Sequence, residues 1–114
     1  MTPEFKAKWI QALRDGKYQQ TRGVLKDSSG GMCCLGVAAD LVDSSGWTDQ
    51  IMEGSQGHYG FGWRVDGPTL CEAVAHAIGI PTEEARELAL RNDGGGKYSP
   101  HSFADIADLI EERL

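Results

Sequence analysis

The stretch GGMCCLGVAADLV, residues 30–42, places two adjacent cysteines where a glycine-rich turn runs into a predicted helix. From about Cys34, apolar side chains recur at helical spacing, which predicts a core helix. Gly36 weakens that helix by roughly 1 kcal/mol relative to alanine. A thiol at a helix start can also become a reactive thiolate, so the stretch has both a structural and a catalytic interpretation. The apolar positions are Leu35, Ala38 and Val42.

Four other helices are predicted on either side of this stretch. The first is capped by Thr2, and its apolar side chains recur on one face. A later helix begins with a capping box formed by Thr69 and Glu72. Thr82 is the predicted cap of the next helix, and Ser102 is that of the last.

Two segments indicate a small amount of β-structure. Residues 21–26 and 32–34 are predicted as short strands on either side of the turn DSSGG. Residues 54–67 mix five glycines with aromatic side chains, which indicates a structured loop or a glycine-broken hairpin. The predicted fold is therefore mainly α, in the α+β class. We expect one compact globular domain over residues 1–114, with about five helices and a small β-hairpin after the first.

Length and composition are those of an ordinary globular domain. The chain has 114 residues, of which 40% are hydrophobic and 25% charged, enough for one modest core. No stretch approaches the roughly 20 apolar residues of a membrane span, and the N-terminus lacks the apolar run of a secretory signal. The three cysteines, two of them adjacent, show no disulfide framework. We therefore expect a reducing, cytoplasmic location.

The net charge of −6 is unevenly distributed. Residues 1–26 hold six basic and two acidic side chains, a net of +4, whereas residues 27–114 hold five basic and fifteen acidic ones, a net of −10. Overall acidity argues against general DNA binding, because such binding depends on neutralising phosphates. The basic arm remains compatible with a small anionic ligand, and solvated charge on opposite faces is the simpler alternative.

The adjacent cysteines are assigned to the core, and no catalytic residue is predicted. A catalytic thiol needs a nearby base. The candidate bases, His58, His76 and His101, lie in a helix or in glycine-rich loops without a local signature of a cysteine hydrolase. Small, soft thiols pack readily into cores. Because adjacent positions of one regular element cannot both point inward, one of the two thiols can face a groove.

No metal site and no cofactor is predicted. The chain has no Cys-x-x-Cys pair and no histidine at metal-ligand spacing from a cysteine. The segment NDGGGKYSPHSF, residues 92–103, lacks the alternating carboxylates of a calcium loop. The glycine clusters do not follow a strand and open a helix in the order of a phosphate-binding loop.

Two segments remain as a candidate ligand site. The arm RDGKYQQTRG, residues 14–23, combines arginines, which bind phosphates, with a tyrosine that can stack on a base. The stretch GHYGFGWRV, residues 57–65, adds further aromatic side chains and an arginine, although core packing is favoured for its tryptophan and for Trp47. The predicted ligand-binding residues are Arg14, Lys17, Tyr18, Gln20, Arg22, Tyr59, Trp63 and Arg64.

Three segments resemble a widespread group of small phage and prophage proteins. They are KWIQALRDGKYQQTRGVL, CCLGVAADL and ELALRNDGGG…SFADIADLIEERL, in the same order as in that group. The pattern of the group is Lys-Trp…Ala-Leu-Arg…Cys-Cys-Leu-Gly…Ser-Phe…Ile-Ala-Asp. The chain departs from it at Arg91, where the group has leucine, and in its longer glycine-rich middle. The resemblance implies a phage origin and no particular activity.

A phage origin favours an accessory protein that acts on host machinery, although origin and fold do not establish function. The leading hypothesis is a non-enzymatic protein of the host cell cytoplasm that counters host defence by sequestering a small nucleotide-type signal. One alternative is a protein-binding inhibitor of a host defence complex that uses the acidic last helix, with Asp105, Asp108 and Glu112 as its contact surface. The other is a small cysteine hydrolase or transferase that uses Cys34. A homo-oligomer with a shared pocket is compatible with a small helical binding protein.

Overall fold

A computed structural model of the protein describes residues 1–53, 57–64 and 70–114. Over these ranges the chain forms five helices and one two-stranded antiparallel sheet. The helices are α1 (Pro3–Arg14), α2 (Cys34–Val42), α3 (Leu70–Ile78), α4 (Thr82–Asp93) and α5 (Phe103–Arg113). The strands are β1 (Trp47–Glu53) and β2 (Tyr59–Trp63), which lie between α2 and α3. The predicted fold class, five helices with a hairpin that follows the first helix, is confirmed.

The central helix is α2, which is buried from Cys34 to Ala39 and packs against α1, α3 and α4. Its cap is Cys33, whose thiol accepts a hydrogen bond from the backbone N–H of Gly36 over 3.4 Å. Trp9 of α1 is fully buried and donates from its indole Nε1 to the carbonyl oxygen of Cys34 over 3.0 Å. The apolar side of α5 is buried as well, and α5 packs against α1.

The predicted helix caps are partly confirmed. The hydroxyls of Thr2 and Ser102 each accept a backbone N–H of the first turn, over 3.1 and 3.2 Å. The predicted cap at Thr82 is wrong, because α4 already begins there and makes no side-chain cap hydrogen bond. Pro81 takes the cap position with φ −61° and ψ 142°, so its fixed ring supplies the extended backbone that a cap requires. The predicted cap at Thr69 lies outside the described residues.

The segment between α1 and α2 contains isolated bridges instead of the two strands predicted at residues 21–26 and 32–34. Met32 is the partner of both Gln20 and Lys26. Since one residue serves two partners, no ladder of successive pairs extends along the segment. The hairpin lies later in the chain, at β1 and β2, and it overlaps the glycine-rich stretch for which a broken hairpin is one of the two predicted structures.

Replacing Gly36 by alanine tests the closest contact of α2. A Cβ at Gly36 would overlap the carbonyl oxygen of Leu25 and lie 3.2 Å from the Cβ of Met32. Helix propensity alone favours alanine by roughly 1 kcal/mol. We nevertheless expect Gly36→Ala to lower the free energy of unfolding in urea by about 2 kcal/mol, because the backbone must shift. Gly95→Ala is the control, since its Cβ would meet the flexible end of Leu90. An unchanged or raised stability of Gly36→Ala would contradict this packing.

Candidate functional site

The first residue of the predicted basic arm, Arg14, is bound to α5. Its guanidinium pairs with Asp108 over 2.7 Å and with Glu111 over 3.2 Å. Hydrogen bonds to Glu111 and Asp108 raise the pKa of Arg14. The positive charge of Arg14 is thereby matched inside the chain, and Asp108 is no longer an unpaired member of the acidic surface predicted on α5. Lys17, the next cation of the arm, is exposed.

Gln20 and Arg22 lie against the end of α4 and the turn that precedes α5. The amide Nε2 of Gln20 donates to Asn92 Oδ1 and to the carbonyl oxygen of His101, over 2.9 Å in each case. Arg22 donates from Nη1 to the carbonyl oxygens of the same two residues. These acceptors are uncharged, so they do not balance the positive charge of Arg22. They do, however, direct its guanidinium at the backbone of another segment.

Asp40 of α2 joins the predicted arm to the hairpin. One of its carboxylate oxygens accepts a hydrogen bond from the hydroxyl of Tyr18 over 2.7 Å, and the other accepts one from the indole Nε1 of Trp47 over 2.9 Å. Burial and the bond to Asp40 raise the pKa of Tyr18 to about 12, so the phenol stays protonated at neutral pH. Asp40 is not among the site residues that the sequence predicts. The available signal is a lone carboxylate in an otherwise apolar helix.

Lys26 lies over the aromatic rings of the hairpin. Its ammonium Nζ is 5.1 Å from the ring centroid of Trp47 and 6.0 Å from that of Phe61. The carbonyl oxygen of Lys26 accepts the backbone N–H of Phe61 over 2.9 Å, which holds β2 beside this residue. Among the described residues, no carboxylate forms an ion pair with Lys26. Its charge is therefore available beside two aromatic rings.

These groups form one surface, called the hairpin face from here on. In the register of the hairpin, Ile51 stands opposite Phe61. Glu53 stands opposite Tyr59 two residues farther along, so the four side chains share one face. Ile51 is 57% exposed and Tyr59 is 63% exposed. Of the predicted ligand-binding residues, Tyr59 lies on this face, and Tyr18 is linked to its Trp47 through the carboxylate of Asp40. The hairpin face consists of Lys26, Trp47, Ile51, Glu53, Tyr59 and Phe61.

Trp63 and Arg64 lie at the other end of β2, against Asp43. Trp63 is fully buried, and its indole Nε1 donates to the carbonyl oxygen of Asp43 over 2.9 Å. The guanidinium of Arg64 stacks 4.6 Å from the ring centroid of Trp63 and pairs with the Asp43 carboxylate over 3.0 Å. Hydrogen bonds from Ser45 and Arg64 lower the pKa of Asp43. Trp63 is thus a core residue, and the charge of Arg64 is neutralised.

Both adjacent thiols lie in the core, as the favoured interpretation of residues 30–42 predicts. Cys34 is fully buried, and Cys33 is nearly so. Burial raises the pKa of Cys33 to about 12 and that of Cys34 well above its ordinary value. Both fit because Cys33 caps α2 from outside the helix, while Cys34 occupies its first turn, so neither faces a groove. Cys71 is partly exposed, and burial raises its pKa too.

Asn92 is a buried polar residue that helical periodicity does not reveal. Its side-chain Oδ1 accepts the backbone N–H of Cys34 over 3.2 Å, in addition to the amide of Gln20. Its Nδ2 donates to the carbonyl oxygen of Thr21 over 2.9 Å and to Asp93 Oδ1 over 3.0 Å. Within the described part of the chain, every buried side-chain nitrogen and oxygen has a hydrogen-bond partner. Asn92 is therefore the polar centre that holds the arm against α2 and α4.

Three other features are relevant to the described residues: a metal site, a membrane-spanning helix and a histidine base. They contain no group of three or more His, Cys, Asp or Glu side chains that could hold a metal ion. None of the helices in the described ranges is long and apolar enough to cross a membrane. His101, one of the candidate bases, has its Nδ1 2.9 Å from the carbonyl oxygen of Ser99 and its Nε2 3.4 Å from Arg91 Nη1. These contacts orient its ring toward Ser99 and Arg91, and no described hydrogen bond joins it to a cysteine.

A match over the N-terminal part of the chain decides its family. Residues 1–66 match the model of a family described as Domain of unknown function (DUF8296). The chain belongs to this family. A comparison with curated proteins gives no match, and neither does a comparison with solved structures. The matched residues include the whole hairpin face of this DUF8296 protein, whereas Asn92 lies beyond them.

Thiol labelling near pH 7 tests the burial of the cysteine pair. In the native protein we expect Cys33 and Cys34 to react with an aromatic disulfide reagent only as fast as the structure opens, because buried, protonated thiols present no thiolate. Cys71→Ser removes the partly exposed thiol, so any signal from that variant reports on the pair. Rapid labelling of native Cys71→Ser would contradict the assignment and restore the cysteine hydrolase hypothesis.

Asn92→Ala removes the acceptor of the buried N–H of Cys34 and of one of the two hydrogen bonds that the half-buried amide of Gln20 donates. An unsatisfied buried donor costs roughly 1–3 kcal/mol, and because the bond to Thr21 is lost as well, we expect urea unfolding to show a total loss of about 3 kcal/mol. Gln11→Ala, at an exposed position of α1, is the control and should change stability by less than about 0.5 kcal/mol. Equal stability of the two variants would exclude a central role for Asn92.

Proposed function

We propose that this DUF8296 protein acts by binding and that its hairpin face holds a nucleotide-type anion. The observation that carries the proposal is the position of Lys26. Its ammonium lies over the rings of Trp47 and Phe61 and has no carboxylate partner among the described residues. A cation beside accessible rings offers the two features that a nucleotide requires, a partner for phosphate and a flat surface for the base.

Tyr59 is the main stacking surface in this proposal. Its side chain is 63% exposed, and stacking of a base on an aromatic ring contributes about 1–3 kcal/mol. Phe61 extends the aromatic surface toward Lys26. The indole of Trp47 is oriented in advance by its hydrogen bond to Asp40. A ring that is already held in place loses less freedom on binding, which favours affinity.

The predicted basic arm supports this site more than it forms it. Arg14 and Arg64 are paired with carboxylates, so they contribute little charge to a ligand. Tyr18 helps to fix Asp40 behind the hairpin. Gln20 and Arg22 anchor the segment that leads to Lys26. The binding hypothesis therefore moves from the arginines of the arm to Lys26 and the aromatic rings.

The resemblance to small phage and prophage proteins supports a role in an infected cell. In this proposal the protein is an accessory factor of the host cytoplasm that sequesters a small nucleotide-type signal of host defence. Sequestration requires affinity but no reactive group. This requirement is compatible with a chain whose adjacent thiols, Cys33 and Cys34, are buried and have raised pKa values.

A protein-binding inhibitor of a host defence complex is the second candidate. The exposure of Ile51 next to Tyr59 favours it, because adjacent apolar side chains on a surface mark protein contacts. The acidic side of α5 supports it less, since Asp108 is already paired with Arg14. Ile51→Ser in a tagged chain separates the two candidates, because it removes the apolar side chain without adding charge to the hairpin face. Loss of a co-purified host protein with unchanged nucleotide binding would favour the inhibitor.

Calorimetry against a panel of cyclic and ADP-ribose-derived nucleotides tests the leading proposal. We expect at least one member to bind, and we expect Lys26→Gln to weaken that binding about tenfold or more, equivalent to roughly 1.4 kcal/mol, because the ammonium contact is lost. Tyr59→Ala should weaken it similarly through lost stacking.

The matched control for this experiment is Lys97→Gln. Lys97 also lies beside an aromatic ring, 5.5 Å from the centroid of Tyr98, but outside the hairpin face. It should leave the affinity unchanged. The absence of heat with every member of the panel, or an equal loss in Lys97→Gln, would reject the proposed site.

A further inference from the structure

The hairpin face offers a ligand only limited positive charge. Lys26 is the cation that the described contacts place on it. Arg64, at the end of β2, is neutralised by Asp43. Arg22 belongs to the arm, and its guanidinium is directed at the backbone carbonyl oxygens of Asn92 and His101. One ammonium therefore provides most of the attraction for an anion on this surface.

Three carboxylates belong to the hairpin or are bonded to it. Glu53 is exposed and stands opposite Tyr59 on the same face. Asp49 is exposed on the same strand, and Asp40 holds the edge of the Trp47 indole. Within the described residues, none of these three carboxylates forms an ion pair. Negative charge on a ligand that extends from Lys26 along the hairpin toward Glu53 therefore approaches like charge.

We infer that the anion held on the hairpin face carries a single negative charge, as in the phosphodiester of a cyclic nucleotide. The inference rests on the proposed function and narrows its ligand class. One charge is matched by Lys26, whereas each additional charge is unmatched and is repelled by Glu53, Asp49 and Asp40. A terminal phosphate carries about −1.5 to −2 at pH 7, and a polyphosphate carries more. Both exceed what the face can neutralise.

A series of ligands that share one base tests this inference. For each of the four common ribonucleosides, calorimetry compares the nucleoside, its 3′,5′-cyclic monophosphate, its 5′-monophosphate and its 5′-triphosphate. In a series that binds, we expect the cyclic monophosphate to be the tightest ligand, about tenfold tighter than the triphosphate. Glu53→Gln should narrow that gap by raising the affinity for the triphosphate, while Glu112→Gln, at an exposed position of α5, should not.

The outcomes separate this inference from the proposed function. A triphosphate that binds tightest would overturn the inference and leave nucleotide binding intact. A nucleoside as tight as its cyclic monophosphate would also overturn it, because the phosphate would then contribute nothing. An unchanged gap in Glu53→Gln would remove the carboxylates as its cause. The absence of binding heat in all four series and in the wider panel would reject nucleotide binding itself.

Discussion

The buried amide of Asn92 is the contact on which the arrangement of the chain depends. It accepts a hydrogen bond from the first turn of α2 at Cys34 and bonds the arm at Gln20 and Thr21, partners that lie 58 to 72 positions away in the sequence. Without that acceptor, the N–H of Cys34 would be buried and unsatisfied, at a cost of roughly 1–3 kcal/mol. One side chain thus joins the arm, the central helix and α4.

That junction also explains the position of Lys26. The segment that follows the arm crosses α2. Its residue Leu25 passes so close to the helix that only glycine fits at position 36. On its other side, the carbonyl oxygen of Lys26 accepts the N–H of Phe61 in β2. With the backbone held from both sides, the ammonium is placed over the hairpin rings. The surface chemistry of the hairpin therefore follows from contacts made in the core.

Local features of the structure are predictable from the sequence, whereas the site is not. The helices and the caps at Thr2 and Ser102 depend on residues within one or two turns, so periodicity reveals them. The two strands predicted between α1 and α2 are wrong, because Met32 forms isolated bridges with both Gln20 and Lys26. Arg14 is of a residue type that often binds phosphate, yet its partners in the structure are carboxylates 94 and 97 positions away. No local pattern distinguishes a cation that an internal carboxylate will neutralise from one that remains available.

Ion pairs within the chain account for part of the uneven charge distribution of the sequence. The basic arm and the acidic remainder are joined at Arg14, which pairs with α5, whereas Arg64 pairs with Asp43 within the acidic remainder. The pair at Arg14 removes part of the attraction that the basic segment would exert on polyanions, and the net charge of −6 repels them at long range. A binding surface on such a protein must therefore act at short range. In the proposed site, Lys26 meets that condition because its charge lies beside aromatic rings, on which a planar ligand would stack by contact.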